Sequence, residues 1–279
     1  MRIDSHQHFW RYNPQRDGWI TDEMAALKRD CLPEELLATM RASGVDACVA
    51  VQADQSEAET RFLLDLAARH REIVGVVGWV DLRDPELETR LAEYARYPKL
   101  RGFRHIVQAE PDDRFLLRQD FLQGVERLAS FGFTYDVLIY ARHLHVANEF
   151  VLRLSEPKLV VDHLAKPAIK DKELSTWTQG MRMLARNRNV YCKLSGMVTE
   201  ANWANWKVSD LKPYLDVVFE AFGIDRLMFG SDWPVCLLAA SYAQVKGAIE
   251  EYMRDFNVVD KDKVFGLNAA HFYGLPTEL

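Results

Sequence analysis

Eight short runs of apolar, largely β-branched residues recur along the chain, at intervals of about 30 residues, the length of one strand–helix unit. Each run is nearly continuous in apolar residues rather than alternating with polar ones, which is typical of strands that are covered on both faces. The runs are Arg2–His8, Asp46–Ala53, Ile73–Val80, Leu100–Ile106, Thr134–Ile139, Leu159–His163, Val190–Leu194 and Arg226–Phe229.

Amphipathic stretches with helical spacing follow these runs. Pro33 and Pro85 lie at positions where the first turn of a helix tolerates a missing N–H. Gly44, Gly132 and Gly223 follow helical stretches, where a left-handed residue commonly ends a helix. The predicted helices are Pro33–Ala42, Glu57–Arg69, Pro85–Tyr97, Asp120–Phe131, Arg142–Leu154, Glu173–Arg186, Leu211–Phe222 and Tyr242–Arg254.

This alternation predicts a (β/α)8 TIM barrel, an α/β fold that takes residues 1–279 as one domain. An open, doubly wound sheet is the alternative, but its first strand would more often be followed by a glycine-rich phosphate loop. The longest connections, Phe9–Leu32 and Gly196–Asp210, follow strands and should lie on the active-site face. We expect Lys261–Leu279 to form one further short helix packed outside the barrel.

Charge and composition exclude several kinds of partner. The chain has 35 Lys and Arg against 41 Asp and Glu, a net charge of −6, so we expect neither a nucleic acid nor an anionic membrane as partner. The sequence contains no run of about 18 apolar residues, the length that a transmembrane helix needs. The start of the chain lacks a signal-peptide pattern, and Cys31, Cys48, Cys192 and Cys236 are widely scattered, so we expect reduced thiols in a cytoplasmic protein.

Polar and ionisable residues stand where the predicted strands end. In a barrel of parallel strands all the carboxyl ends meet at one mouth, so residues that are distant in sequence should surround one cavity. These residues are Gln52, His6 and His8, Arg104 and His105, Asp162 and His163, Lys193, and Ser231, Asp232 and Trp233.

His6 and His8 are two residues apart, so both side chains project to the same side of their strand. They could offer two imidazoles to one metal ion or substrate oxygen, or form hydrogen bonds within a crowded barrel. Asp232 leaves an apolar strand and could accept a proton from water, although Asp232 and Ser231 could instead cap a helix. His163 could be catalytic, or a structural histidine bonded to the backbone.

The segments IDSHQHFW, GFRHIVQ, VDHLAKP, CKLSG and MFGSDWPV, each at the end of a predicted strand, resemble the amidohydrolase superfamily. The resemblance is greatest to the amidohydrolase 2 group, in the branch of sugar-lactone hydrolases that act on L-fuconolactone or L-rhamnonolactone. It extends over nearly the whole chain. It implies a carboxylic-ester hydrolase that opens a small aldonolactone to the sugar acid in carbohydrate breakdown.

The resemblance also implies roles for individual residues. The first-strand histidine pair of the family falls on His6 and His8, the sixth-strand histidine on His163, and the eighth-strand aspartate, which acts as general base, on Asp232. Arg104 could hold the developing oxyanion, substrate hydroxyls or the product carboxylate. The structural alternative for Arg104 is a surface salt bridge.

The sequence departs from the metal-rich members of the family. Its fourth strand ends in Arg104 and His105, with no lysine or glutamate to bridge two metal ions, and its fifth strand carries no histidine. A single divalent ion such as zinc could bind His6, His8 and Asp232, with His163 nearby. As for other lactonases of this branch, we expect no metal or other cofactor to be required.

Further residues are candidates for binding a small sugar-lactone substrate. Trp19 and Trp233 offer flat faces that suit the C–H side of a sugar ring, although tryptophan more often packs in the core. Gln52 could bond a hydroxyl or cap its own strand. His105 and Lys193 complete the set, and a buried ion pair is the alternative for Lys193.

Other functions remain open on this scaffold. A zinc-dependent amidohydrolase or decarboxylase is the main enzymatic alternative. A hydrolase of a dicarboxylate lactone such as a pyrone would need several cations, and only Arg104, Lys166 and Lys193 are obvious near the mouth. A barrel that binds sugar acids without turnover is disfavoured by the intact set of His6, His8 and Asp232.

Overall fold

Eight parallel strands pair in chain order around a barrel in the computed structural model, which describes residues 1–154 and 156–279. Trp233, which follows the last strand, forms a parallel bridge with Gln7 of the first strand, and its carbonyl accepts the His8 N–H at 2.7 Å. These contacts close the barrel. The (β/α)8 fold expected from the sequence is confirmed. The strands are β1 Ile3–Gln7, β2 Ala47–Val51, β3 Ile73–Gly78, β4 Leu100–His105, β5 Thr134–Val137, β6 Leu159–Val161, β7 Val190–Leu194 and β8 Leu227–Phe229.

Helices follow the strands and form the outer layer. The first two have the predicted bounds, and the other predicted barrel helices differ from the observed ones by up to three residues at an end. The helices are α1 Pro33–Ala42, α2 Glu57–Arg69, α3 Leu87–Tyr94, α4 Gln119–Ser130, α5 Leu144–Arg153, α6 Ser175–Ala185, α7 Met197–Glu200, α8 Val208–Phe222, α9 Tyr242–Tyr252, α10 Val258–Asp262 and α11 Asn268–Tyr273.

Local hydrogen bonds set where the helices begin. The Ser56 side chain accepts from the Glu59 N–H at 3.2 Å and caps α2, as serine at this position does in many helices. Helix α8 begins at Val208, three residues before the predicted start, because the Asp210 carboxylate accepts the Lys207 N–H at 2.9 Å.

The C-terminal segment differs from the prediction of one short helix packed outside. It consists of α10, a π-helical turn at Lys263–Leu267, and α11. Residues of α11 and Leu275 form one apolar cluster with Ile3, Val49 and Val74, whose side chains occupy the lower part of the barrel interior. The segment therefore closes the amino end of the barrel and buries apolar side chains of the strands there.

The four cysteines are buried and unpaired. Among the described residues, we find no helix with the length and apolar character that a bilayer crossing requires.

Candidate active site

Three histidines surround one carboxylate oxygen at the mouth of the barrel. The Asp232 Oδ1 atom lies 3.3 Å from His8 Nε2, and 3.9 Å from both His6 Nε2 and His163 Nε2. Each of the four residues is at most 4 % exposed. The structure thus brings together residues from β1 and from the segments that follow β6 and β8, as the sequence predicted.

An irregularity in β1 directs its histidines into the barrel. The pairing of β1 with β2 shifts register between Asp4 and Gln7. Asp4 Oδ1 accepts the His6 N–H at 3.1 Å and the Ser231 N–H at 2.9 Å, and so stabilises this bulge. A Cβ atom on Gly230 would lie 2.6 Å from the His6 Cβ atom, so glycine is needed for the two strand ends to approach.

Asp232 is held as a carboxylate. Its φ of 58° is in the left-handed region, and its N–H donates to the His6 carbonyl at 2.8 Å. Burial alone would raise the pKa of Asp232, but the neighbouring His163, His8 and His6 outweigh burial and lower the pKa below the usual value of an aspartate. The group is therefore ionised at neutral pH and able to accept a proton.

The three histidine rings have different surroundings. Burial lowers the pKa of His163 to about 4 and that of His6 well below the usual value, so both rings are neutral at neutral pH. His8 Nδ1 lies 2.8 Å from the Val51 carbonyl, so this nitrogen carries a proton and donates it. His8 Nε2 then faces Asp232 Oδ1 at 3.3 Å and His6 Nε2 at 3.2 Å.

The donor set fits a zinc ion in part. In a tetrahedral zinc site, ligand atoms lie about 3.3 Å apart, since Zn–N and Zn–O bonds are about 2.0–2.2 Å long. The separations of His6 Nε2 from His8 Nε2, 3.2 Å, and of His8 Nε2 from Asp232 Oδ1, 3.3 Å, match this geometry. The separation of His6 Nε2 from Asp232 Oδ1 is larger, at 3.9 Å. These three residues form a candidate site for one metal ion.

A buried ionic network lies beneath the histidines. Asp162 pairs with Arg104 NH1 at 3.0 Å and Lys193 Nζ at 3.0 Å, and its Oδ1 atom is 3.3 Å from His6 Nδ1. Arg104 NH1 is also 3.3 Å from His6 Nε2. Burial alone would raise the pKa of Asp162, but Lys193, His6 and Arg104 hold it well below the usual value. Arg104 is thus a buried partner of Asp162, and the surface salt bridge considered from the sequence is wrong.

The network continues downward to two residues that the sequence did not single out. Lys193 Nζ also pairs with Asp136 at 2.5 Å. The Tyr273 hydroxyl lies 3.0 Å and 2.8 Å from the two carboxylate oxygens of Asp136. A lone aspartate within the apolar run of β5 was the available signal for Asp136, whereas no pattern in the sequence marked Tyr273.

His163 is held by a short left-handed turn. Residues His163–Lys166 all have φ between 48° and 56°, which costs about 1–2 kcal/mol for each non-glycine residue. The Trp177 indole donates to the carbonyl of Leu164, within this turn, at 2.7 Å, and His163 Nδ1 lies 2.9 Å from Ser195 Oγ. A Cβ atom on Gly196 would lie 2.6 Å from His163 Nδ1, so the ring is enclosed closely. This strained turn directs Nε2 of the histidine toward Asp232.

His105 does not lie where a substrate contact was expected. Adjacent residues of a strand point to opposite faces, and Arg104 points into the barrel, so His105 points to the helix layer. Its Nε2 atom is 2.6 Å from Glu110 Oε1, the Trp79 indole donates to its Nδ1 atom at 3.3 Å, and its ring stacks on Phe115 at 4.8 Å. Both ring nitrogens are therefore occupied by protein groups.

Lys193 and Gln52 are also withdrawn from the mouth. Lys193 is 0 % exposed and paired with two aspartates, which corresponds to the buried ion pair considered as its alternative. Gln52 is fully buried, and its Nε2 atom donates to the Arg104 carbonyl at 3.0 Å. Neither side chain is placed to touch a substrate, in contrast to the expectation from the sequence.

The two predicted tryptophans have different environments. Trp233 is 2 % exposed and packs edge-on against Phe9 at 6.1 Å, as a core residue does. Trp19 is 42 % exposed and packs edge-on against Trp10 at 5.8 Å, and Trp10 lies 6.4 Å from the His8 ring. Of the two, Trp19 has the exposed surface that a substrate wall would need.

A further polar pair stands close to His163. Lys166 Nζ lies 3.9 Å from Glu200 Oε1 and 5.4 Å from the centre of the Tyr140 ring. The pKa of Glu200 is raised overall: burial and the nearby Asp232 raise it, and Lys166 offsets only part of this rise. From the sequence, Lys166 was expected only as a cation near the mouth, and no pattern indicated Glu200 or Tyr140.

Comparison with known proteins identifies the family of this chain. The amidohydrolase family model matches residues 3–275. A protein of Burkholderia multivorans described as an L-fucono-1,5-lactonase is 45 % identical, with 99 % of this chain and 97 % of the relative covered. A second L-fucono-1,5-lactonase, from Burkholderia ambifaria, is 37 % identical, with 98 % of this chain and 95 % of the relative covered.

A solved structure shows the same architecture. A crystal structure of a Burkholderia multivorans amidohydrolase with bound zinc is 44 % identical, with a TM-score of 0.96, and 99 % of this chain and 100 % of that chain are covered. The match to the family model extends over nearly the whole barrel and includes all the residues that surround Asp232. The chain belongs to the amidohydrolase family.

Proposed function

We propose that this protein hydrolyses a sugar lactone to the sugar acid, with L-fucono-1,5-lactone or a close stereoisomer as substrate. The observation that carries the proposal is the ionised Asp232 carboxylate among three buried histidines at the barrel mouth. The two L-fucono-1,5-lactonases that match this chain over nearly its whole length support the choice of substrate.

Asp232 is the proposed general base and proton donor. It removes a proton from water as the water oxygen adds to the lactone carbonyl carbon, and it returns that proton to the ring oxygen when the ester C–O bond breaks. The lowered pKa keeps Asp232 ionised at neutral pH and able to accept this proton. The addition of water is easier for a lactone than for an amide, because an ester carbonyl is more reactive than an amide carbonyl.

Histidine and arginine donors are proposed to stabilise the oxyanion that forms on the carbonyl oxygen. His6, His8 and His163 surround Asp232, and the Arg104 guanidinium lies 3.3 Å from His6 Nε2. One such donor contributes about 3 kcal/mol to transition-state stabilisation. The burial of these groups excludes water and strengthens their electrostatic interactions.

A zinc ion would be held by His6, His8 and Asp232, and when bound it would polarise the carbonyl group or a water molecule. We propose that such an ion is not required. The Asp232 carboxylate already provides a base, and the histidines and Arg104 already provide donors toward the substrate oxygen.

The charges at the mouth favour a neutral, hydroxyl-rich substrate. Arg104 pairs with Asp162, and Lys193 pairs with both Asp136 and Asp162, so their charges are already balanced and leave little positive charge for the two carboxylates of a dicarboxylate lactone. Lys166 and Glu200 offer a donor and an acceptor that suit sugar hydroxyls, and Trp19 offers an apolar face for the ring. A dicarboxylate pyrone is therefore the less favoured substrate.

Proton release over a panel of aldonolactones, with and without chelator, tests this function. We expect turnover of L-fucono-1,5-lactone that survives chelation, and a loss of kcat of about 100-fold or more in Asp232→Asn, because the base is removed. Asp255→Asn changes an exposed aspartate and serves as the control. Wild-type kcat in Asp232→Asn, or no turnover of any lactone, would overturn the proposal. Loss of turnover on chelation, restored by zinc, would instead support the zinc-dependent alternative.

A further inference from the structure

The C-terminal helix brings one polar group into the barrel interior. In α11, Ala269, Ala270 and Phe272 are apolar and buried, and they join the apolar cluster at the floor. Tyr273, which is 3 % exposed, directs its hydroxyl to both carboxylate oxygens of Asp136, at 3.0 Å and 2.8 Å. Apolar packing alone would be served equally well by phenylalanine, so the hydroxyl calls for a separate explanation.

From Asp136 a continuous series of charged contacts leads to the candidate active site. Asp136 pairs with Lys193 at 2.5 Å, and Lys193 pairs with Asp162 at 3.0 Å. Asp162 then contacts His6 Nδ1 at 3.3 Å and Arg104 NH1 at 3.0 Å. All five groups are 0–3 % exposed, so these contacts are hardly screened by water.

The Lys193 ammonium group lies between the carboxylates of Asp136 and Asp162. Its position determines how the Asp162 oxygens are oriented toward His6 and Arg104. The torsion of an aspartate carboxyl group is soft, so Asp136 needs a second partner to keep one oxygen directed at Lys193. The Tyr273 hydroxyl is that partner.

We propose that Tyr273 is a positioning residue for the reaction: through Asp136, Lys193 and Asp162, the C-terminal helix fixes the orientation of His6 and Arg104. Tyr273 touches no substrate. The segment that closes the floor of the barrel thus also sets the geometry at its mouth. This inference rests on the proposed function for its kinetic readout.

Tyr273→Phe tests the inference, because it removes the hydroxyl and keeps the ring. We expect kcat for L-fucono-1,5-lactone to fall about tenfold while KM stays within twofold. The reason is that the variant displaces His6 and Arg104, which are donors to the transition state, and leaves the contacts that bind the substrate in place. The matched control is Tyr191→Phe. The Tyr191 ring packs on Phe272 at 4.9 Å at the same end of the barrel, and among the described residues its hydroxyl forms no hydrogen bond to the ionic network. We expect its kcat to be unchanged.

A second readout needs no substrate. In protein labelled with ¹⁵N-histidine, we expect the His6 ring resonances, assigned with His6→Asn, to shift in Tyr273→Phe and in Asp136→Asn but not in Tyr191→Phe. A purely structural role of Tyr273 would lower the thermal unfolding midpoint and leave both kcat and the His6 resonances unchanged.

The outcomes separate this inference from the proposed function. The positioning role of Tyr273 would be overturned by wild-type kcat together with unshifted His6 resonances in Tyr273→Phe. If Tyr273→Phe does not fold, Asp136→Asn decides by the same criteria. If the wild-type protein hydrolyses no lactone, the proposed function fails, and the His6 resonances still decide whether Tyr273 orients that ring.

Discussion

The two ends of the barrel interior are built from different interactions. At the amino end, Ile3, Val49 and Val74 pack with α11 in an apolar cluster. At the carboxyl end, Asp162 and Lys193 belong to a buried network of ions and histidines. Burial of apolar surface stabilises the fold, whereas buried ion pairs contribute little net stability and hold side chains in defined positions. The lower half therefore supplies apolar stabilisation, and the upper half holds the polar groups that the proposed reaction requires.

Replacement of Lys193, in the upper half, should have the largest effect on the free energy of unfolding. Lys193→Met leaves the Asp136 and Asp162 carboxylates buried near each other without their shared cation, so we expect the free energy of unfolding to fall by about 3–5 kcal/mol. Urea denaturation measures this change. Lys212→Met, which breaks an exposed pair with Asp216, should cost less than about 1 kcal/mol. Equal losses in the two variants would contradict a special role for the buried network.

The pH dependence of stability should report on the upper half. The pKa of His163 is lowered by burial from 6.5 to about 4, so the unfolded chain binds a proton more readily than the folded chain. Above pH 6.5 the His163 ring therefore does not lower the free energy of unfolding. As the pH falls from 6.5 to 4, this ring lowers the free energy of unfolding by about 3 kcal/mol.

The substitution His163→Gln should flatten the pH dependence in that window, as measured by denaturant midpoints at several pH values. His70 is half-buried on the outer surface, so His70→Gln provides the comparison. An unchanged slope in His163→Gln would show that the folded protein accepts the proton on this ring.

A mild substitution at the floor should have the smallest effect. Ile3→Val removes one methyl group from the apolar cluster, so we expect the unfolding free energy to fall by about 1 kcal/mol with no change in kcat. Thermal unfolding and lactone hydrolysis measure the two quantities. A reduced kcat at full stability would mean that the lower half also tunes the chemistry through apolar packing.

The sequence predicted local features of the site well. Continuous apolar runs identified all eight strands, and the two-residue spacing of His6 and His8 placed their rings on one side of β1. The convergence of Asp232 with these rings followed from the rule that parallel strands end at one mouth. His105 was misplaced because it was assigned to the mouth together with its neighbour Arg104, whereas adjacent residues of a strand point to opposite faces.

By itself, the sequence determined the barrel and the meeting of its histidine pair with Asp232 at the mouth, because strand period and strand polarity are properties of short segments. Tertiary structure alone decided which carboxylates neutralise Lys193, how the bulge in β1 turns its histidines inward, and where the C-terminal helix packs. Asp136 and Tyr273 are 137 residues apart, and no local pattern can specify such a contact. The pairing of buried charges depends on which side chains the closed barrel brings together, and that is settled only when all eight strands are in register.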